Sequence, residues 1–373
     1  MGLQLVPHNL NIDFVGRRKL FYLVSCVALL VSLGVLVLGG GPKYGIDFAG
    51  GTVAQVKFTK PVALETLYAT LAPIEQPGMV VQSFGDDGLS FLIRFSTDQS
   101  GGESLRRDIT AALLTLDKDN PEIIQRLESV GPKVGADLRS KAIEAMYFAT
   151  LFIAIYISWR FEHRWFTAAL MAGGLIGSVY LLTLIGVPKA IIIFAATVIM
   201  VALCWKLKFI YALGVIVSIL HDVLITVGVF VLMGKEFDLT IVAALLTVLG
   251  YSINDTIIVY DRIRENLQTQ KVTDLAGTIN RSINQTLSRT VLTSLTTLFV
   301  ITSLLLFGGG IIHDFALVLL IGVLVGTYSS IFVASPMLML FGRTVLDQAE
   351  AIKTEKEEAA KRARSRDMVN GSV

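Results

Sequence analysis

The chain has 373 residues, 53% of them hydrophobic and 17% charged, with a formal net charge of +2 and a mean hydropathy of +0.67. These values exclude a disordered chain and a secreted disulfide scaffold, offer no basic surface to nucleic acid, and indicate a polytopic membrane protein. The two cysteines, Cys26 and Cys204, stand in apolar runs and read as small hydrophobic residues, and the four histidines are too dispersed for a metal site.

Arg17-Arg18-Lys19 precede an uncharged run, Leu20 to Leu38, long enough to cross ~30 Å of hydrocarbon. Gly39-Gly40-Gly41 supplies small residues such as follow a signal peptide. The run exceeds a usual signal core and lacks an Ala-x-Ala site, which favours a retained anchor. The basic residues assign 1–40 as a cytoplasmic N-terminus and first span. Residues 41–138 are charged and punctuated by Pro and Gly, with no span. Strands are expected at Thr52–Thr59, Met79–Phe84, Leu89–Phe95 and, less clearly patterned, Ile123–Val130. Helices fit Val62–Ala72, behind Pro61, and Glu103–Leu116, with a hairpin turn at Gly85-Asp86-Asp87-Gly88. The order βαββαβ predicts a ferredoxin-like α+β domain, periplasmic because it follows a single crossing. The glycine-rich segment from Gly45 to Thr52 reads as a turn into the first strand rather than a binding loop.

Seven further apolar runs, at 141–159, 165–186, 189–205, 209–232, 239–260, 289–307 and 314–341, bring the expected spans to eight. They form a transmembrane bundle over 139–342, followed by a tail of mixed charge at 343–373. Arg160, His163, Arg164, Lys206, Lys208, Arg262, Arg264, Arg281, Arg289 and Arg343 all fall on one side of this arrangement. The opposite connections, 187–190 and 234–238, carry one lysine each, so both termini are expected in the cytoplasm. Ile263, Leu267, Leu275, Ile279 and Ile283 form an interrupted amphipathic pattern, which suits a helix lying at the cytoplasmic interface. Gly173 with Gly177, and Gly322 with Gly326, are small-xxx-small pairs that predict close helix packing.

Three spans carry polar stripes. Thr247, Tyr251, Asn254 and Asp255 share a face about 100° wide, and an aspartate within a spanning helix costs roughly 3 kcal/mol to insert. It therefore needs a partner, water or a proton. Gly214, Ser218, Asp222 and Thr226 recur every four residues, with His221 beside Asp222. Arg289, Thr293, Thr296 and Thr297 supply a third stripe. Lipid offers no hydrogen-bond partners, so the stripes are expected to meet. Arg289 and Asp255 fall at similar depth, which suggests a protonatable carboxylate held by a fixed cation until the helices move. Adjacent His221 and Asp222 point ~100° apart, a poor dyad, so an intramembrane enzyme is not expected.

Six motifs then carry a resemblance in order along nearly the whole chain. They are Tyr44-Gly-Ile-Asp-Phe-Ala-Gly-Gly-Thr52, Ser129-Val-Gly-Pro-Lys-Val-Gly135, His221-Asp-Val-Leu-Ile-Thr226, Gly250-Tyr-Ser-Ile-Asn-Asp-Thr256, Asp261-Arg-Ile-Arg-Glu-Asn266 and Gln285-Thr-Leu-Ser-Arg-Thr290. Together they resemble the SecF side of the SecD/SecF protein-export family, related to the RND transporters. The resemblance implies half of a pseudo-symmetric bacterial inner-membrane unit completed by SecD. That unit uses the proton-motive force late in export, after the SecA motor has pushed preproteins through the SecYEG channel. YajC and YidC are further candidate partners in the membrane lipid, and no cofactor, metal or nucleic acid is implied. By family pattern the proton path falls on Asp255 and Arg289, with Asn254 and Thr256 beside them and His221, Asp222, Tyr251 and Thr293 in support. One departure is an insert near Ala169 to Tyr211 that adds two spans as a helical hairpin. The competing reading, an RND-type exporter of small molecules or lipids, fits less well, because such chains usually carry two large external domains.

Overall fold

The computed structural model describes residues 11–74, 79–83, 88–95, 102–118, 120, 123–162, 164–269, 274–354 and 358. In chain order, α1 (Arg18–Leu38) leads into a short strand β1 (Lys43–Tyr44) and a one-turn helix α2 (Ile46–Ala49). An α+β unit follows: β2 (Gly51–Lys57), α3 (Leu64–Leu71), β3 (Val80–Ser83), β4 (Ser90–Phe95), α4 (Gly102–Leu113) and β5 (Ile124–Val130). Its sheet order is β3-β4-β2-β5 with every pair antiparallel, the ferredoxin-like arrangement expected from βαββαβ. Strand alternation sends Phe91, Ile93 and Phe95 of β4, with Ala54 and Val56 of β2, to one face. There they pack with Leu67 and Leu71 of α3 and Ile109 and Leu113 of α4.

The first strand ends before the expected Thr59 because the chain turns there. The Thr59 N–H is taken by Asp117 Oδ2 at 2.8 Å, and the Thr59 hydroxyl by the same carboxylate. Helix α4 stops short of Leu116, since the Leu116 N–H bonds back only three residues, to Leu113 O. Phe84 and most of the expected hairpin turn, 85–87, lie outside the described residues.

The segment from Gly45 to Thr52 is more than a turn. Helix α2 packs on the start of α5, where Gly50 has φ +78° and a Cβ on it would lie 2.7 Å from Pro132 Cα. Strand β1 pairs in parallel with β6 (Glu236–Phe237), which directly precedes α9. Asp47 Oδ2 accepts the Leu239 N–H at 3.0 Å, and Arg94 of β4 forms a two-pronged ion pair with Glu236. The α+β unit is thereby fastened to the N-terminal end of α9.

The remaining helices are α5 (Pro132–Glu162), α6 (Trp165–Leu184), α7 (Lys189–Lys206), α8 (Ile210–Leu232), α9 (Leu239–Thr269), α10 (Leu275–Phe307) and α11 (Gly310–Ser329). After α11 the chain makes a π-helical turn, Ser330–Ala334, and runs on in helical form to Thr354. Eight helices among the described residues are long and apolar enough to cross a membrane, as the hydropathy predicts. The α11 span, at 61% buried, and α8, at 56%, form the middle of the bundle, whereas α1 and α10, at 11% and 17%, lie outside it.

Helices α6 and α7 form a hairpin that packs on α5 and α8 through Ala168, Ala172 and Leu175, and through Ala196, Met200 and Cys204. Its two ends are stitched together. Glu162 Oε1 accepts the Tyr211 N–H at 2.9 Å, and Arg164 donates to Leu207 O at 2.8 Å while lying over the Phe209 ring.

Two expectations need correction. The described residues of 262–287 hold no separate interfacial helix. Among the described residues, α9 runs unbroken to Thr269 and α10 starts at Leu275, with Asn266 donating to Ser282 Oγ at 2.8 Å and Gln285 Oε1 at 2.9 Å. Ile263, Leu267, Ile279 and Ile283 are buried in the protein core instead of lipid. The second correction concerns Gly173 and Gly177, where an added Cβ would meet nothing within 4 Å. Gly322 and Gly326 do pack closely, against Val248 and Ser252.

Before α1, residues 12–14 are held by α10 through their backbone. Asn280 Oδ1 accepts the Phe14 N–H at 2.9 Å, Asn284 Oδ1 accepts the Ile12 N–H at 2.9 Å, and both amide groups donate to Ile12 O.

Candidate functional site

Asp255 sits midway along α9 and is 1% exposed. Its one side-chain hydrogen bond is long: Ser294 Oγ of α10 lies 3.4 Å from Oδ2. That serine has a better-placed neighbour in Thr327 Oγ1 of α11, at 2.8 Å, and Thr327 in turn donates to Val323 O. A hydroxyl has a single hydrogen, so Ser294 serves either Asp255 or Thr327. Asp255 is therefore a desolvated carboxyl with at most one weak donor, and a proton or an arriving charge is what its surroundings lack.

Arg289 does not fill that gap in this conformation. Its side chain is exposed and forms no ion pair with Asp255. Helical geometry explains why: Arg289 and Ser294 are five residues, about 140°, apart, so turning Ser294 inward turns Arg289 outward. The inward stripe of α10 is Thr286, Thr290 and Ser294, not the expected Arg289, Thr293, Thr296 and Thr297. Thr293 and Thr296 return their hydroxyls to carbonyls of their own helix. Asn254 is exposed beside Asp255, and Thr256 is buried, donating to Ser252 O at 3.3 Å. Tyr251 is half-buried, and its buried hydroxyl has no partner.

The second carboxylate, Asp222 of α8, is 0% exposed and lies in the opposite situation. His221 Nδ1 is 2.9 Å from Oδ1, and Oδ2 accepts from Ser252 Oγ of α9 at 2.5 Å and Ser329 Oγ of α11 at 2.8 Å. Ser218, one turn back, donates to Ser329 at 2.9 Å. His221 Nε2 meets Ser25 Oγ of α1 at 3.1 Å, and Ser25 is hydrogen-bonded to the Tyr328 hydroxyl at 2.9 Å. Neighbouring His221 and Asp222 thus bond directly, against the expectation that they diverge. The Ser25–His221–Asp222 order has the connectivity of a nucleophilic triad. Ser25, however, lies within the hydrogen-bonded ladder of α1 and shares its hydroxyl with Tyr328, an arrangement that suits a structural proton network rather than acyl transfer.

The structure therefore joins Asp255 with Ser294 and Thr327, and Asp222 with His221, Ser25, Ser252, Ser329 and Ser218. It leaves Arg289, Asn254 and Thr293 outside both sets. The run Thr327-Tyr-Ser-Ser330, which closes α11 and opens the π-helical turn, is the part that sequence reading missed. Its signal was four consecutive hydroxyl side chains within an otherwise apolar span. Among the described residues no three His, Cys, Asp or Glu side chains converge to hold a metal ion.

Comparison with known proteins agrees with this architecture. The model of "Protein export membrane protein SecD/SecF, C-terminal" matches residues 109–187 and 183–344, the two matches meeting at the α6–α7 turn, and the "SecD/SecF GG Motif" matches 35–62. The protein translocase subunit SecF of Calditerrivibrio nitroreducens is 38% identical over 341 residues, covering 91% of this chain and 96% of that one. The subunit of the same name from Magnetococcus marinus is 41% identical over 340 residues, covering 91% and 94%. Among solved structures, SecDF of Thermus thermophilus, described as a translocon-associated membrane protein, superposes with a TM-score of 0.65 at 30% identity. The match covers 92% of this chain and 40% of that longer one, so this chain corresponds to about two-fifths of SecDF. With the family model spanning most of the chain and full-length relatives above 30% identity, the chain belongs to the SecF family of protein translocase subunits.

Proposed function

We propose that this chain pairs with a SecD-type protein in the bacterial inner membrane and couples proton entry at Asp255 to late steps of preprotein export. The observation that carries the reading is the uncovered polar flank of α9 and α10. Asn254, Arg289 and Thr296 are exposed on two spanning helices, next to a buried carboxyl that lacks a firm partner. Polar side chains at that depth do not face lipid, and a second membrane subunit placed over them removes the conflict. Docking of that subunit, or a shift of α10, brings Arg289 towards Asp255, and retreat of the cation leaves the carboxyl to take a proton. Each charge carried through the field supplies ~2.3 kcal/mol per 100 mV, enough to bias a helix rearrangement.

The basic residues support an orientation with both termini in the cytoplasm. Arg160, Arg164, Arg262 and Arg264 cluster at the end of the bundle away from the α+β unit, tied by Arg160 to Asp261 at 2.5 Å and Arg264 to Arg160 O at 2.9 Å. The α+β unit then faces the periplasm, where it meets preproteins leaving a SecYEG channel driven by SecA, with YajC and YidC as accessory neighbours.

The test is export into inverted membrane vesicles with and without a proton gradient. Asp255→Asn is expected to reduce gradient-stimulated export to the level seen without a gradient, while the SecD-type partner still co-purifies. Arg289→Met is expected to do the same. Normal gradient stimulation in Asp255→Asn would remove the carboxyl from the proton path, and in Arg289→Met it would reduce the arginine to packing.

A further inference from the structure

Asp255 is not the bundle's only intramembrane carboxyl, and α11 touches the surroundings of both. Thr327 meets Ser294 on the Asp255 side, Tyr328 meets Ser25 on the His221 side, and Ser329 donates to Asp222 itself. We propose that Asp222 with His221 is a second proton-binding station, linked to Asp255 by the hydroxyl run of α11. The proposal deepens the reading of Asp255 as a proton site and rests on it.

Four observations carry the inference. First, Asp222 lies wholly inside a membrane-length helix, and the basic side chain bonded to it is an imidazole rather than the fixed charge of a guanidinium. Second, hydrogen-bond partners converge from three other helices: Ser252 of α9 and Ser329 of α11 donate to the carboxylate, and Ser25 of α1 meets the imidazole. Ionisable side chains buried or half-buried on the neighbouring helices include Tyr22 on α1, Tyr147 and Glu162 on α5, Cys204 on α7, Tyr251 and Tyr260 on α9 and Asp314 on α11. None of these, nor Asp255, is hydrogen-bonded to the pair; Tyr328 reaches it through Ser25.

Third, the network has a second arrangement within reach. Ser329 Oγ lies 2.8 Å from Asp222 Oδ2 and 3.1 Å from Gly326 O, with one hydrogen for the two acceptors. A proton arriving on Oδ2 turns that oxygen from acceptor to donor, and the Ser329 hydrogen then rotates to Gly326 O. Ser294 faces the same choice on the other side, between Asp255 and Thr327. Fourth, the π-helical turn Ser330–Ala334 begins one residue after Ser329. Its exceptional backbone geometry is stabilised from outside the ladder, by Ser335 Oγ donating to Ser330 O at 2.6 Å and Tyr260 donating to Ala334 O at 2.9 Å. A π-turn can pass its extra residue along a helix without breaking it, so a change in hydrogen bonding at Ser329 has a yielding element directly below it.

The experiment is infrared difference spectroscopy of the full-length chain with its SecD-type partner in liposomes, titrated across the pH range while the protonated-carboxyl band is followed. In Asp255→Asn a pH-dependent carboxyl band is expected to persist, and adding Asp222→Asn is expected to remove one component of it, separate from what Glu162 and the partner contribute. Absence of any titrating carboxyl band in Asp255→Asn, or a band unchanged by Asp222→Asn, would overturn the proposal. Should the double variant fail to accumulate, Ser329→Ala in the Asp255→Asn background serves instead. A shift of the remaining band supports the link and an unshifted band refutes it. Loss of the Asp255 role would show in the export assay, so the two readings fail separately.

Discussion

Gly322 and Gly326 show how much a single methyl group matters in the middle of this bundle. A Cβ on Gly322 would lie 2.3 Å from Val248 Cγ2, and one on Gly326 would lie 2.9 Å from Ser252 Cβ, whereas at Gly173 it would meet nothing within 4 Å. Gly322→Ala is therefore expected to cost about 1–3 kcal/mol by overpacking. Gly173→Ala should be neutral or slightly favourable because alanine is the better helix former. Thermal unfolding in detergent checks both: the midpoint falls for the first and not for the second. The two pairs carry the same spacing, and spacing reports a smooth strip, not whether another helix lies on it. Asp255 was legible because a carboxylate in an apolar run is costly wherever it points. The serines and threonines around it were not, since a hydroxyl in a helix can bond its own carbonyls, as Thr293 and Thr296 do, or a neighbour, as Ser294 does.

At the scale of elements, period-2 alternation was enough to recover the α+β unit, because one face of its sheet is buried and a register slip would expose Phe91, Ile93 and Phe95. The 262–287 stretch was misread for a related reason: a half-apolar helix looks the same whether lipid or another helix covers it, and here α9 and α10 extend together. Asp117 ties the end of β2 to the end of α4. The Thr59 N–H, the Thr59 hydroxyl and Asn120 hold its carboxyl below its ordinary value of 3.8. A carboxyl lowered in the folded state adds stability above its unfolded value and loses it as pH falls through the folded one. Acidification through the carboxylate range is therefore expected to loosen this corner, and Asp117→Asn should flatten that part of the pH response. Amide exchange at Thr59, taken as protection relative to the intrinsic rate at each pH, measures it: protection falls at low pH in the native chain and is already low at neutral pH in the variant. The N-terminal strap follows a different logic, because Asn280 and Asn284 hold the main chain of residues 12–14 and so place little demand on side-chain identity there.

For the whole molecule, α9 is the continuous member. Its 31 residues span ~46 Å. The α+β unit is fastened at one end by Asp47 and the Arg94–Glu236 pair, Asp255 lies between, and Asn266 binds α10 at the other. Arg94→Glu is expected to loosen the unit, exposing the segment around β6 to protease, and the exchange with Glu236→Arg should restore protection; equal cleavage of single and double variants would mean the pair does not hold the domain. The α6–α7 hairpin leaves that axis undisturbed. Because Glu162 already holds Tyr211 and Arg164 already holds Leu207, the chain enters and leaves the hairpin through one doorway at the bundle's edge. A hairpin of two apolar helices makes an even number of crossings, so the chain leaves it on the side from which it entered. Because α5 and α8 also pack directly on each other, the hairpin flanks a joint that its neighbours already make, and a change within α6 or α7 reaches α9 through that joint.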